Sequence, residues 1–156
     1  MQSTLAHQPA ETLWFLDNAV RIHAEGPDWS LTEIAGHPGD MVPLHVHHEE
    51  DEVFHVLEGA LELFVDGDRF VVEAGRMVVA PRGVPHAYRV SSAEPARWLA
   101  HASETFSLFV RELARPAEGD TLPQPSGPPS PDQVEALTVC AARYGIEILG
   151  PPPFVG

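Results

Sequence analysis

Between Leu13 and about His101 the chain reads as short apolar or alternating runs: LWFLDNAVRIHA, WSLTEIAG, EVFHVLEG, ALELFV, RFVVEAG, RMVVAP, HAYRV and RWLAH, separated by GPD, HPGD, DGD, PRGVP and SSAEP. Strands of about 5 to 8 residues recurring at roughly 8 to 12 residue intervals predict an antiparallel sandwich or barrel. Val65-Asp66-Gly67-Asp68 predicts a tight hairpin, because Asp-Gly tolerates the positive φ angles of a primed turn, so ALELFV and RFVVEA form a meander. No segment approaches the ~18 uninterrupted apolar residues of a membrane-spanning helix.

After His101 the period changes. Phe106, Phe109, Val110 and Leu113 stand at i, i+3, i+4 and i+7, one face of a helix that Pro116 stops. Six prolines between residues 116 and 131 predict an extended connector. Ser130-Pro131-Asp132-Gln133 then starts a second helix, with Ser130 as cap, Pro131 at the first helical position and Gln133 closing a capping box. Val134, Leu137 and Ala141 give it an apolar face, Gly145 ends it, and IEILGPPPFVG follows as a short extended tail. The expected organisation is an N-terminal extension over 1–12, a barrel over 13–101, and helices with a proline-rich connector and tail over 102–156.

The formal charge is -14, and all nine basic residues are arginines scattered from Arg21 to Arg143. No basic stripe exists to neutralise a phosphate backbone, so nucleic acid is excluded as an expected partner, as is a membrane. Cys140 is the single cysteine, which excludes an internal disulfide framework and fits a reducing compartment. The first residues show no charged region followed by an apolar core, so the expected location is the cytoplasm.

Histidine is the unusual component: nine residues, four of them between His45 and His55. In Leu44-His45-Val46-His47 the two imidazoles are two residues apart on an expected strand and share a face. The turn His48-Glu49-Glu50-Asp51 leads back into a strand whose first residue, Glu52, can reach that face, and His86 opens HAYRV after the turn PRGVP. Three imidazoles and one carboxylate suit a divalent transition metal with open coordination positions. An isolated His-x-His equally fits two solvated histidines; its register with Glu52, His86 and four glycines favours the metal centre.

These residues resemble the two motifs of the cupins. The first reads Gly39, DMVPL, His45-Val46-His47, HEED, Glu52, VFHVLE, Gly59; the second reads Gly75, RMVVA, Pro81-Arg82-Gly83, VP, His86, AYR and then Val90, where the family has Asn. With WFLDNAVRI and the tail RYGIEILGPPP, the chain looks like the small single-domain (monocupin) quercetin dioxygenase-like proteins. The resemblance implies an all-β fold, a double-stranded β-helix (jelly-roll) barrel with C-terminal helices, as a homodimer. It also implies one divalent metal per chain (Fe, Ni, Mn, Zn, Co or Cu) on His45, His47, Glu52 and His86.

The implied activity is a quercetinase-like dioxygenase acting on a small aromatic or polyketide-like molecule, with Glu52 as the catalytic proton relay. A non-redox cyclase or isomerase is the alternative, and a ligand-binding cupin without catalysis is the third reading. A regulator of that kind would carry a helix-turn-helix, for which no room is expected before Leu13.

Alternation from Glu52 and His86 puts Phe54, Val56, Tyr88 and Val90 inward, as an expected apolar pocket wall. It puts His55 on the opposite face. His48, Glu49, Glu50 and Asp51 are expected to be a solvated charge run, and His101 and Cys140 to be structural. Gly39, Gly59, Gly75 and Gly83 are expected at strand ends that need left-handed backbone angles.

Overall fold

The computed structural model describes residues 10–154. The expected N-terminal extension lies mostly outside them. Ten strands come first: β1 (Thr12–Phe15), β2 (Asn18–Gly26), β3 (Trp29–Gly36), β4 (Leu44–His47), β5 (Glu52–Glu58), β6 (Ala60–Val65), β7 (Asp68–Glu73), β8 (Met77–Ala80), β9 (His86–Val90) and β10 (Ala96–Ala102). They are followed by α1 (Glu104–Leu113), β11 (Arg115–Pro116), α2 (Pro131–Arg143) and β12 (Ile146–Gly150). Every strand pairing is antiparallel. One sheet runs β11-β1-β2-β3-β10-β5-β8 and the other β12-β4-β9-β6-β7. The fold is the expected jelly-roll barrel.

Strand alternation builds the core. In β5, Glu52, Phe54 and Val56 are buried while Val53, His55 and Leu57 are half-buried on the outer face. In β10, Ala96, Trp98, Ala100 and Ala102 are buried, and Leu61 and Leu63 meet them from the other sheet's side of the core. Asp66 and Gly67 both have positive φ, 51° and 90°, in the primed turn that sets the β6–β7 register. Gly59 has φ of 72°, and a Cβ there would lie 2.6 Å from Ser92 Oγ and 3.0 Å from Ala96 Cα. That turn therefore excludes any side chain on two counts.

The C-terminal half is docked onto the barrel. Ser103 caps α1, and Phe106, Phe109 and Val110 are buried against the barrel. The α2 capping box of Ser130 and Gln133 is present, but the inner face of the helix is Leu137, Cys140 and Ala141; Val134, expected on that face, is 41% exposed. The proline-rich segment is tied down: Trp14 Nε1 donates to the Thr121 carbonyl, His37 Nε2 meets the Pro123 carbonyl, and Ser126 donates to Asp17. The expected extended tail forms β12, which pairs with β4. Among the described residues no helix is long and apolar enough to cross a membrane.

Candidate metal centre

Three neighbouring strand starts or ends converge at one point between the sheets. β4 supplies His45 and His47, β9 supplies His86 directly opposite His45 in the register, and β5 supplies Glu52 from the facing sheet. One donor atom from each of the four residues lies within 4.8 Å of the others. His47, Glu52 and His86 are buried; His45 is the half-open member.

The outer hydrogen bonds orient the imidazoles. His45 Nδ1 faces the Pro43 carbonyl at 2.8 Å, and His86 Nδ1 faces the Val84 carbonyl at 3.0 Å. His47 Nδ1 faces Glu50 Oε1 at 2.7 Å. These partners only accept, so each Nδ1 carries a hydrogen and Nε2 is the ring nitrogen directed inward. Glu52 Oε2 lies 3.1 Å from His86 Nε2 and 3.4 Å from His47 Nε2.

The electrostatics point the same way. Burial, then the neighbouring His86 and His47, push His45 down to about 3, so its ring is neutral. Burial alone would raise the Glu52 carboxyl, but the His86 hydrogen bond and then the His47 charge outweigh it and hold Glu52 at about 2. A buried carboxylate facing inward-directed ring nitrogens is a donor set that a divalent cation satisfies. The residues fit a metal.

Glu50, expected in a solvated charge run, is instead buried. It is 7% exposed; one carboxylate oxygen meets His47 Nδ1 and the other accepts from the Ser103 backbone N–H at 2.6 Å. The Glu50 hydrogen bond and the Glu52 charge raise the pKa of His47 against the effect of its burial. The only sequence signal was the i, i+3 spacing of His47 and Glu50 across a turn. His48, Glu49 and Asp51 are exposed. Asp51 accepts from the Arg82 backbone N–H at 2.9 Å and so steadies the turn leading to His86.

A cavity of about 60 Å³ adjoins the cluster, lined by His45, His47 and Glu52 and by apolar side chains of the barrel and of both helices, among them Phe15, Ile34, Phe106, Phe109 and Leu137. Tyr88 lines it. Phe54, Val56 and Val90 point inward as alternation requires, but they are fully packed in the core and do not line the cavity. Phe54 packs behind the site, edge-on to His86 at 6.2 Å and to Tyr88 at 5.9 Å. Asn18, which the sequence did not single out, shares the lining with Tyr88.

The family model for the cupin domain matches residues 34–102. Quercetin 2,3-dioxygenase from Bacillus subtilis (strain 168) is 40% identical over 67 residues, covering 43% of this chain and 20% of that protein. The chain spans half or less of the length of the curated relatives it matches. Among solved structures, an RmlC-like cupin from Shewanella frigidimarina NCIMB 400 aligns with a TM-score of 0.56 at 18% identity, covering 77% of this chain and 96% of that one. The polyketide cyclase RemF from Streptomyces resistomycificus aligns with a TM-score of 0.54 at 22% identity, covering 66% and 80%. The segment that matches the cupin domain, residues 34–102, is the one that carries His45, His47, Glu52 and His86.

Proposed function

We propose that the protein is a metal-dependent cupin enzyme that holds one divalent transition metal on His45, His47, Glu52 and His86 and acts on a small aromatic or polyketide-like phenol. The observation that carries this reading is the convergence of three inward-facing Nε2 atoms and the Glu52 carboxylate beside an apolar cavity. When bound, such an ion supplies Lewis acidity and, if redox-active, electrons. His45, His47 and His86 orient it, Glu52 accepts the phenol proton, and the apolar wall excludes water and favours a flat, weakly hydrated ring. The cavity is smaller than the ~150 Å³ that accommodates benzene in an engineered apolar cavity. Small phenols are therefore favoured over large ones.

Dioxygenation is the leading reaction, supported by the similarity to quercetin 2,3-dioxygenase. The non-redox cyclase reading is kept because the same lining suits a polyketide and a second curated relative, 33% identical over 66 residues, is "Polyketide synthase CurC" from Streptomyces cyaneus. A homodimer is part of the proposal. Met77 and Val79, 63% and 50% exposed on the edge strand β8, are the apolar surface a second copy would cover.

Elemental analysis of the purified protein is expected to find about one transition metal per chain, and His47→Ala to lose most of it. Full metal in His47→Ala would overturn the ligand set. An oxygen electrode with phenols and flavonols separates the chemistries: turnover that consumes oxygen supports the dioxygenase, and turnover without air on the zinc-loaded protein supports the cyclase.

A further inference from the structure

Asn18 opens β2 and Asp40 lies between β3 and β4, yet the fold brings both to Tyr88 beside the cavity. The Tyr88 hydroxyl donates to Asn18 Oδ1 at 3.2 Å, and Asn18 Nδ2 donates to Asp40 Oδ2 at 3.4 Å. Asp40 Oδ2 is fixed in turn by the His37 backbone N–H at 2.6 Å. The chain ends on a carboxylate, which accepts and does not donate. That settles the direction of every bond in it: the Asn18 amide nitrogen must face Asp40, its oxygen must face Tyr88, and the Tyr88 proton is committed to Asn18.

The surroundings are built to accommodate this chain. A Cβ at Gly36 would lie 2.8 Å from Asn18 Nδ2 and 3.2 Å from Asp40 Oδ2, so only glycine leaves room for the pair. Asn18 and Tyr88 are 6% and 7% exposed.

We infer that the Asn18–Tyr88 pair is a specificity determinant that presents a hydrogen-bond acceptor, the Tyr88 Oη lone pairs, to the ligand. The site therefore selects molecules with a hydroxyl or N–H donor at the position away from the metal-directed oxygen. A ligand offering an acceptor there would have to take the Tyr88 proton from Asn18, leaving a buried Oδ1 unpaired. This rests on the phenol-binding reading above and names the polarity of the second substituent.

The test is calorimetry on the zinc-loaded protein, which avoids redox chemistry, with hydroquinone and resorcinol against 4-methoxyphenol and 3-methoxyphenol. Catechol is left out because its second hydroxyl would reach the metal. For at least one isomer the dihydroxy compound is expected to bind about tenfold more tightly than its methyl ether. Tyr88→Phe, which removes one oxygen, should abolish the difference. Asn18→Leu, which frees the Tyr88 proton, should shrink or reverse it, with zinc content and melting temperature measured for each variant. A preference that survives in Tyr88→Phe is steric and overturns the inference, as does equal binding of each pair by the unaltered protein, while the phenol-binding reading stands. Failure of all four phenols to bind the zinc-loaded protein overturns that reading along with the inference.

Discussion

His47 is held by two carboxylates with different duties. Glu52 shares its inward side at 3.4 Å, while Glu50 fixes its outer nitrogen at 2.7 Å and anchors itself on the Ser103 N–H that begins α1. Glu50→Gln retains the shape but has only one accepting oxygen, so either His47 Nδ1–H or Ser103 N–H faces an amide NH2. Metal affinity is expected to fall ~10- to 100-fold, read by competition with a chelator, as for other outer partners of ligating histidines. Unchanged affinity would remove Glu50 from the metal centre. The inner residues His45, His47, Glu52 and His86 were legible because strand alternation and motif spacing are local properties. Glu50 was not, because its burial depends on α1 arriving from more than fifty residues away in the chain. Val90 shows the same limit: alternation gave its inward direction, but its place behind the cavity wall depends on packing against Gly36 and the β6 strand.

The elements separate along the same line. The α1 face and the α2 capping box were readable because period, cap and stop signals act within a few residues. β11 and β12 were not, since a strand is defined by its partner. β12 aligns Ile146 with His47 and Ile148 with His45, so it covers the open edge of the strand that carries two of the four proposed ligands. A chain ending at Gly145 leaves β4 with an unpaired edge and the two histidines without a fixed backbone. That truncated protein is expected to lose metal affinity by ~10-fold or more in an isothermal titration, because orientation of the imidazoles is what the pairing secures. Metal binding at the full-length level would show that β9 alone holds β4 in place.

At the scale of the whole molecule, the proposed ligands bridge the two sheets: His45, His47 and His86 belong to the five-stranded sheet and Glu52 to the seven-stranded one. Without a cation, the buried Glu52 carboxylate has His86 and His47 as its partners across the barrel, at 3.1 and 3.4 Å, and the burial of these polar groups opposes closure. A bound ion turns the same point into a cross-link between layers that otherwise meet through side-chain packing and hydrogen bonds such as that from Tyr88 to Asn18. An ion that binds only the folded chain stabilises it by ~2.7 kcal/mol at one hundred times its dissociation constant. For a domain of about 150 residues, each kcal/mol moves the melting temperature by ~2 to 4 °C. Scanning calorimetry is therefore expected to show the metal-loaded protein melting ~5 to 10 °C above the chelator-dialysed protein. The increment should vanish in His47→Ala, which removes one arm of the bridge while leaving Glu52 buried. An equal melting temperature with and without metal would mean that the cluster takes no ion at these concentrations, and an increment that persists in His47→Ala would place the ion elsewhere.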